Sequence, residues 1–179
     1  MDLEVVHHAY QLDASRTTSG PTRDDLAQRY GAHNVDGLFA NAERAAAAEG
    51  LDLRLADTTA CNTWDGHRLV ALGATRGRQD NVVMRLMRAH FEERLDLGDA
   101  ATLSRLAAEA GLPPEQTGLL LAGDLLGQEV EADLHQARQM GVRGVPFFVF
   151  GGRFAFSGAQ PDDAFREAFR LALQPPASP

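Results

Sequence analysis

The sequence predicts an α/β protein in which a large block of helices interrupts a smaller core that contains the strands. Three observations carry this prediction: a strand pattern near the N-terminus, helical patterns through the middle, and a strand-strand-helix pattern in 141–173. Because strands and helices do not alternate, the order indicates an inserted helical domain and not a repeated α/β unit. We therefore expect core residues at 1–12 and 141–179, and the inserted helical domain at 13–140.

The N-terminal part of the chain predicts one strand and one short helix. From Leu3 to Tyr10 the residues alternate with the two-residue period of a strand, and 13–21 is a loop rich in Ser, Thr, Gly and Pro. Thr22, with Asp25 three residues later, is typical of a capping box for a helix that ends at Tyr30.

Helical periodicity predicts most of the middle of the chain. The expected helices are 32–49, 63–75, 80–95, a helix capped by Asp99, 114–122 and 128–140. The clearest is 80–95, where the apolar stripe is Val82, Val83, Leu86, Met87, His90 and Phe91. The helix after Asp99 has an inner face of Leu103, Leu106, Ala107 and Ala110.

The C-terminal part predicts a β-hairpin followed by an amphipathic helix. Val145 to Phe150 is apolar and too short for a helix, and Gly151-Gly152 suits a tight turn into a second strand at 153–157. Pro161 suits a first helical position, and the apolar residues after it recur with helical spacing.

Pro146 stands at the entrance of the most hydrophobic strand, although proline has no N–H to contribute to a sheet. A trans proline that begins a strand is the ordinary interpretation of such a residue. The sequence around Pro146 favours a different interpretation, which depends on the family resemblance described next.

Several motifs resemble the DsbA-like family, in particular its FrnE-type branch. They are GVRGVPFFVF (141–150), SGAQP (157–161), NTWDGHRL (62–69), GRQD (77–80) and DLGD (96–99). The resemblance implies a thioredoxin-like core with a large helical insertion, in which Pro146 is cis and faces the active site. The backbone of Val145 would then be free to pair with an extended substrate.

One feature departs from this family, whose members begin with a strand and a Cys-x-x-Cys motif at a helix N-terminus. The only cysteine here is Cys61, so the resemblance implies that the first strand, the first helix and the redox cysteines are absent from these residues. We expect an N-terminally truncated chain; a partner chain that donates the missing strand is the second interpretation.

Composition limits the classes of function. A net charge of −8 argues against a nucleic-acid partner, and no apolar run is long enough for a membrane span. The N-terminus lacks the pattern of a signal peptide, which favours the cytoplasm. One cysteine excludes an internal disulfide, and the histidines do not have metal-ligand spacing.

The expected substrate-binding residues are Val145, Pro146, Arg143 and His67. Arg143 could attract an anionic ligand such as the carboxylates of glutathione, or could be a solvated loop arginine. His67 could line a substrate groove or form a structural hydrogen bond. Cys61 is expected to be a small buried hydrophobic residue, so no catalytic residue is assigned within the chain.

The leading functional hypothesis is a DsbA-like, FrnE-type thiol-disulfide oxidoreductase domain whose redox cysteines lie outside the chain. Its partner would be a protein or small-molecule thiol or disulfide. No cofactor is expected, and the sequence leaves open whether the protein forms a homodimer. One alternative is a glutathione-dependent enzyme similar to the 2-hydroxychromene-2-carboxylate isomerases and kappa-class transferases. Another is a redox-inactive peptide-binding domain.

Overall fold

The computed structural model describes residues 3–175 of the 179-residue chain. The chain divides into two compact units, Met1–Ala132 and Asp133–Pro179, called here the helical unit and the hairpin unit. The sequence-based division at 1–12, 13–140 and 141–179 stays a prediction.

The helical unit contains six complete helices within its described residues and the start of a seventh. They are α1 Thr22–Tyr30, α2 Ala32–Ala48, α3 Trp64–Ala74, α4 Gln79–Phe91, α5 Ala100–Glu109, α6 Pro114–Ala122 and the first part of α7 Gly127–Gln139. Two short strands, β1 Gly20–Pro21 and β2 Thr59–Ala60, pair antiparallel. A 3₁₀ turn covers Leu55–Asp57.

The core of the helical unit forms where α3 packs on α4 and where α5 and α6 pack beside them. Its fully buried aliphatic side chains include Leu69, Val82, Leu103, Leu106 and Leu120. The four residues predicted for the inner face of α5 are all buried. On α4 the prediction was wrong for Met87, whose side chain is 51% exposed.

Helix α4 also ends earlier than the expected Leu95. Arg94 adopts a left-handed conformation with φ 59°, and the Leu95 N–H donates to the Ala89 carbonyl at 2.8 Å. This pattern closes a helix C-terminus, where glycine is the usual residue. Because Arg94 and not a glycine has the left-handed conformation, the sequence contained no signal that α4 ends there.

Residues 3–12 do not form the strand that alternation predicted. The sheets of the described residues are β1–β2 and β3–β4, and neither includes this segment. Instead, the Gln79 side chain accepts from the His7 N–H at 3.1 Å and donates to the His7 carbonyl at 2.9 Å. Leu3, Val5 and Val6 are each more than half exposed, so they do not contribute to a core. The side-chain amide of Gln79 therefore pairs with the His7 backbone in the way that a neighbouring strand would.

The two predicted helix caps have different outcomes. The Asp99 carboxylate accepts from the Thr102 N–H at 2.8 Å, which confirms it as the N-cap of α5. The capping box at Thr22 was wrong, because α1 has no side-chain cap. The Thr22 and Thr58 hydroxyls instead share a hydrogen bond of 2.8 Å, which links α1 to the segment before β2.

Arg68 is a buried arginine on α3, with a side chain 3% exposed. Its guanidinium donates to the carbonyls of Leu120 (2.6 Å), Gly123 (2.7 Å) and Leu125 (2.9 Å). A fourth hydrogen bond, 2.7 Å long, pairs it with the partly exposed Asp65 carboxylate. Arg68 thus links α3 to the last turn of α6 and to the segment between α6 and α7.

The hairpin unit contains the end of α7, the strands β3 Phe147–Phe150 and β4 Phe154–Ser157, and helix α8 Asp162–Ala172. The strands pair antiparallel, with Phe148 opposite Phe156 and Phe150 opposite Phe154. Residues directly opposite share a face, so these four phenylalanines lie on one side of the hairpin. Phe165 of α8 packs edge-on against Phe148 and Phe156, with ring centroids 5.0 and 4.9 Å apart.

Both glycines of the predicted tight turn have a positive φ, 55° for Gly151 and 68° for Gly152. Next to them, one Arg153 nitrogen donates to carbonyls at the C-terminal end of α8, those of Ala172, Gln174 (2.8 Å) and Leu171 (3.4 Å). The last carbonyls of a helix have no partner within it, so Arg153 caps α8 from the β-turn.

Candidate functional site

The candidate site is the loop that connects α7 to β3, within the hairpin unit. Helix α7 ends at Gly141, where φ is 70° and the Val142 N–H donates to the Ala137 carbonyl at 2.9 Å. At the other end, the Gly158 N–H donates to the Pro146 carbonyl at 2.8 Å and extends the β3–β4 ladder. The loop is therefore attached at both ends, and residues 143–145 lie between the attachments.

The Val145–Pro146 peptide bond is cis, the geometry that the resemblance implied. The Val145 side chain is 50% exposed, and Pro146 is exposed as well. Within residues 3–175, neither the N–H nor the carbonyl of Val145 forms a hydrogen bond with the rest of the described chain. Two unpaired backbone groups at the entrance of a strand can pair with an extended ligand.

Arg143 lies in the same loop, two residues before Val145, and is exposed. No carboxylate of the described chain forms an ion pair with it. Elsewhere in the hairpin unit Arg170 pairs with Glu167 at 2.6 Å, and Arg153 is engaged at the end of α8. The loop therefore carries an exposed arginine without an ion pair in the described chain, two residues before the unpaired backbone of Val145.

His67 belongs to the helical unit, where it lies on α3. Its Nε2 is 3.1 Å from the Tyr10 carbonyl, and since a carbonyl only accepts, the ring donates there. This contact fits the structural hydrogen bond that the sequence left open for His67. A role for His67 in substrate binding stays a prediction.

Cys61 is buried in the helical unit, as the sequence predicted. Burial raises the pKa of its thiol from 9.0 to about 11, and the negative charge of Asp96 adds to the rise. A thiol with this pKa is almost entirely protonated near neutral pH, whereas the nucleophile in disulfide exchange is the thiolate. Cys61 therefore does not have the properties of a redox cysteine.

Two absences hold for residues 3–175. No three of their His, Cys, Asp and Glu side chains are arranged so that they could hold a metal ion. None of their helices is long and apolar enough to cross a membrane.

Sequence reasoning missed two residues that shape these segments. Gly158 was noted only as part of the SGAQP motif, yet its N–H donates to the Pro146 carbonyl. Gln79 was noted only as part of a motif, yet its amide binds the backbone of His7. An amide side chain at the first position of a helix was the available signal for Gln79, but its partner is 72 residues away along the chain.

A β-β-α unit whose first strand follows a cis-proline loop, joined to a large helical region, defines a thioredoxin-like protein with a helical insertion. Residues 1–170 match the family described as DSBA-like thioredoxin domain, and the chain belongs to this family. It is similar to the crystal structure of a probable DsbA oxidoreductase from Streptomyces coelicolor, with 34% identity and a TM-score of 0.91. The similarity covers 98% of this chain and 78% of the other. No curated protein matches the chain.

Proposed function

We propose that this chain is the substrate-holding part of a FrnE-type thiol-disulfide oxidoreductase. The observation that carries the proposal is the exposed Val145–Pro146 loop, with its cis peptide bond and the unpaired backbone groups of Val145. Membership of the DSBA-like family supports it, as does the similarity to a probable DsbA oxidoreductase.

The loop would bind its substrate through the main chain. An extended peptide that accepts from the Val145 N–H and donates to the Val145 carbonyl would continue the pattern of a β-ladder. Such pairing does not depend on particular side chains, so it suits an enzyme that acts on disulfides in different proteins. The attachments at Ala137 and Gly158 favour it further, because they fix the loop before the substrate arrives.

The redox step would need thiols other than Cys61. In the proposed reaction a thiolate attacks one sulfur of the substrate disulfide and forms a mixed disulfide, while the other substrate sulfur leaves as a thiolate. A second enzyme thiolate then attacks the mixed disulfide, which forms the enzyme disulfide and releases the reduced substrate. Since Cys61 is the only cysteine and is buried, both enzyme thiols would come from outside these residues.

Two measurements on the 179-residue chain test the proposal. In ¹⁵N NMR, an extended peptide with a blocked central cysteine should shift the Val145 and Gly144 amide signals and slow hydrogen exchange at the Val145 N–H. The same peptide with N-methylated amides is the control and should bind more weakly, because it has lost its donors. The absence of any effect at Val145 with the unmethylated peptide would contradict the proposal.

The second measurement is insulin reduction, for which the chain alone should show no activity above background. Reduction by the chain alone would contradict the assignment of the redox thiols to other residues.

A redox-inactive peptide-binding domain is the second candidate, favoured by the burial and high thiol pKa of Cys61. It predicts peptide binding at the same loop in a protein that has no redox thiols at all. The intact mass of the protein from its native source, after reduction and alkylation, separates the two candidates. Three alkyl groups per protein would support the oxidoreductase, and one would support the binding domain.

A further inference from the structure

We infer that Arg143 makes the Val145–Pro146 loop selective for substrates that carry a carboxylate beside the segment that pairs with Val145. The inference rests on the proposed function, since it specifies which substrates the loop prefers. The shared chemistry is a carboxylate next to a sulfur, which occurs in acidic cysteine-containing peptides and in glutathione.

The first support for carboxylate recognition is the position of Arg143 in the loop. Arg143 lies two residues before Val145 in the loop, and two residues of chain span at most about 7 Å. A substrate strand beside Val145 would therefore bring a flanking side chain within the length of an arginine side chain. The hydrogen bond from the Val142 N–H to Ala137 fixes the backbone immediately before Arg143.

The second support for carboxylate recognition is the distribution of charge around Arg143. The guanidinium is exposed and has no ion pair in the described chain, so it can pair with a ligand without breaking an existing salt bridge. The whole chain has a net charge of −8, which would repel an acidic substrate at long range. Recognition of a carboxylate at this loop thus requires a local cation, and Arg143 occupies the position for it.

The third support for carboxylate recognition is the chemistry of the arginine side chain. A guanidinium can donate two parallel hydrogen bonds to one carboxylate, which adds geometric selectivity to charge attraction. For an exposed pair the expected gain is modest, about threefold to fivefold in Kd, and it should decrease with added salt.

The test measures Kd by fluorescence anisotropy for labelled peptides with a blocked central cysteine and Glu, Gln or Lys two residues to either side. The wild-type chain should bind the better-placed Glu peptide about threefold to fivefold more tightly than its Gln counterpart. Arg143→Gln should remove that preference, so that the Glu and Gln peptides bind equally. Arg166→Gln is the matched control, because Arg166 is also exposed in the hairpin unit and has no ion pair in the described chain.

The outcomes separate the inference from the proposed function. Equal binding of Glu and Gln peptides, or a preference that survives in Arg143→Gln, would overturn the inference and leave main-chain binding intact. If no peptide binds, both fail. Reduced glutathione is a separate arm: an Arg143-dependent rise in melting temperature would support carboxylate recognition and identify glutathione as its source, which would favour the glutathione-dependent alternative.

Discussion

Replacing Arg68 with methionine should destabilise the helical unit substantially. Methionine fills a similar apolar volume but removes all four hydrogen bonds of the guanidinium. The Leu120 carbonyl would keep the Gly123 N–H as a donor, at 3.3 Å, and Asp65 is partly exposed to water. The carbonyls of Gly123 and Leu125 would lose their donor. Since Gly123 and Leu125 are exposed residues, no penalty for a buried acceptor applies; the three hydrogen bonds to carbonyls contribute about 1 kcal/mol each, which gives an expected loss of about 3 kcal/mol.

Urea unfolding followed by tryptophan fluorescence measures this loss, because Trp64 is the only tryptophan and begins the same helix as Arg68. A loss of about 3 kcal/mol corresponds to a fall in Tm of about 6 to 12 °C for a chain of this size. Arg76→Met is the control: Arg76 is exposed after α3, and its replacement should change stability by less than about 0.5 kcal/mol. An Arg68→Met effect as small as that of the control would refute the reasoning.

Three further predictions follow from other contacts. Cys61 should resist iodoacetamide at pH 8 in the folded protein and react fully in urea, because burial raises its thiol pKa to about 11; rapid alkylation of the folded chain would contradict this. Burial lowers the pKa of His90 below 6.5, so its contribution to stability is complete above that pH and decreases as the pH falls through the folded-state pKa. Between pH 7 and pH 5, the Tm of His90→Leu should therefore fall less than that of the wild type, and an equal fall would contradict this expectation. Arg153→Met should speed amide exchange at the C-terminal end of α8 and cost about 1 kcal/mol by urea unfolding, whereas equal exchange rates would show that Arg153 does not cap the helix.

The sequence predicted helices well where local chemistry determines their limits. Pro114 begins α6, Asp99 caps α5, and glycines follow α2 and α7, so local signals marked most of these limits. The sequence predicted the hairpin equally well, because Gly151-Gly152 separates two short runs of aromatic residues. The proline loop was predicted from the family resemblance rather than from periodicity.

The predictions that failed depend on residues far apart in the chain. Alternation from Leu3 to Tyr10 suggested a strand, but a strand also needs a neighbour, and the backbone of His7 pairs with the side chain of Gln79. Similarly, no local pattern indicates that Arg68 would be buried, because its acceptors are carbonyls 52 to 57 residues away. In the candidate site, Gly158 was missed because only the register of the finished hairpin places it opposite Pro146.

The pairing of Gln79 with His7 has a consequence for insertions and deletions in this part of the chain. His7 is held by Gln79 of α4, and three residues later the Tyr10 carbonyl is held by His67 of α3. The number of residues between these two anchor points is therefore fixed by the spacing of two helices. An inserted residue between His7 and Tyr10 would require the segment to bulge or to release one anchor, whereas an insertion before His7 would leave both anchors in place.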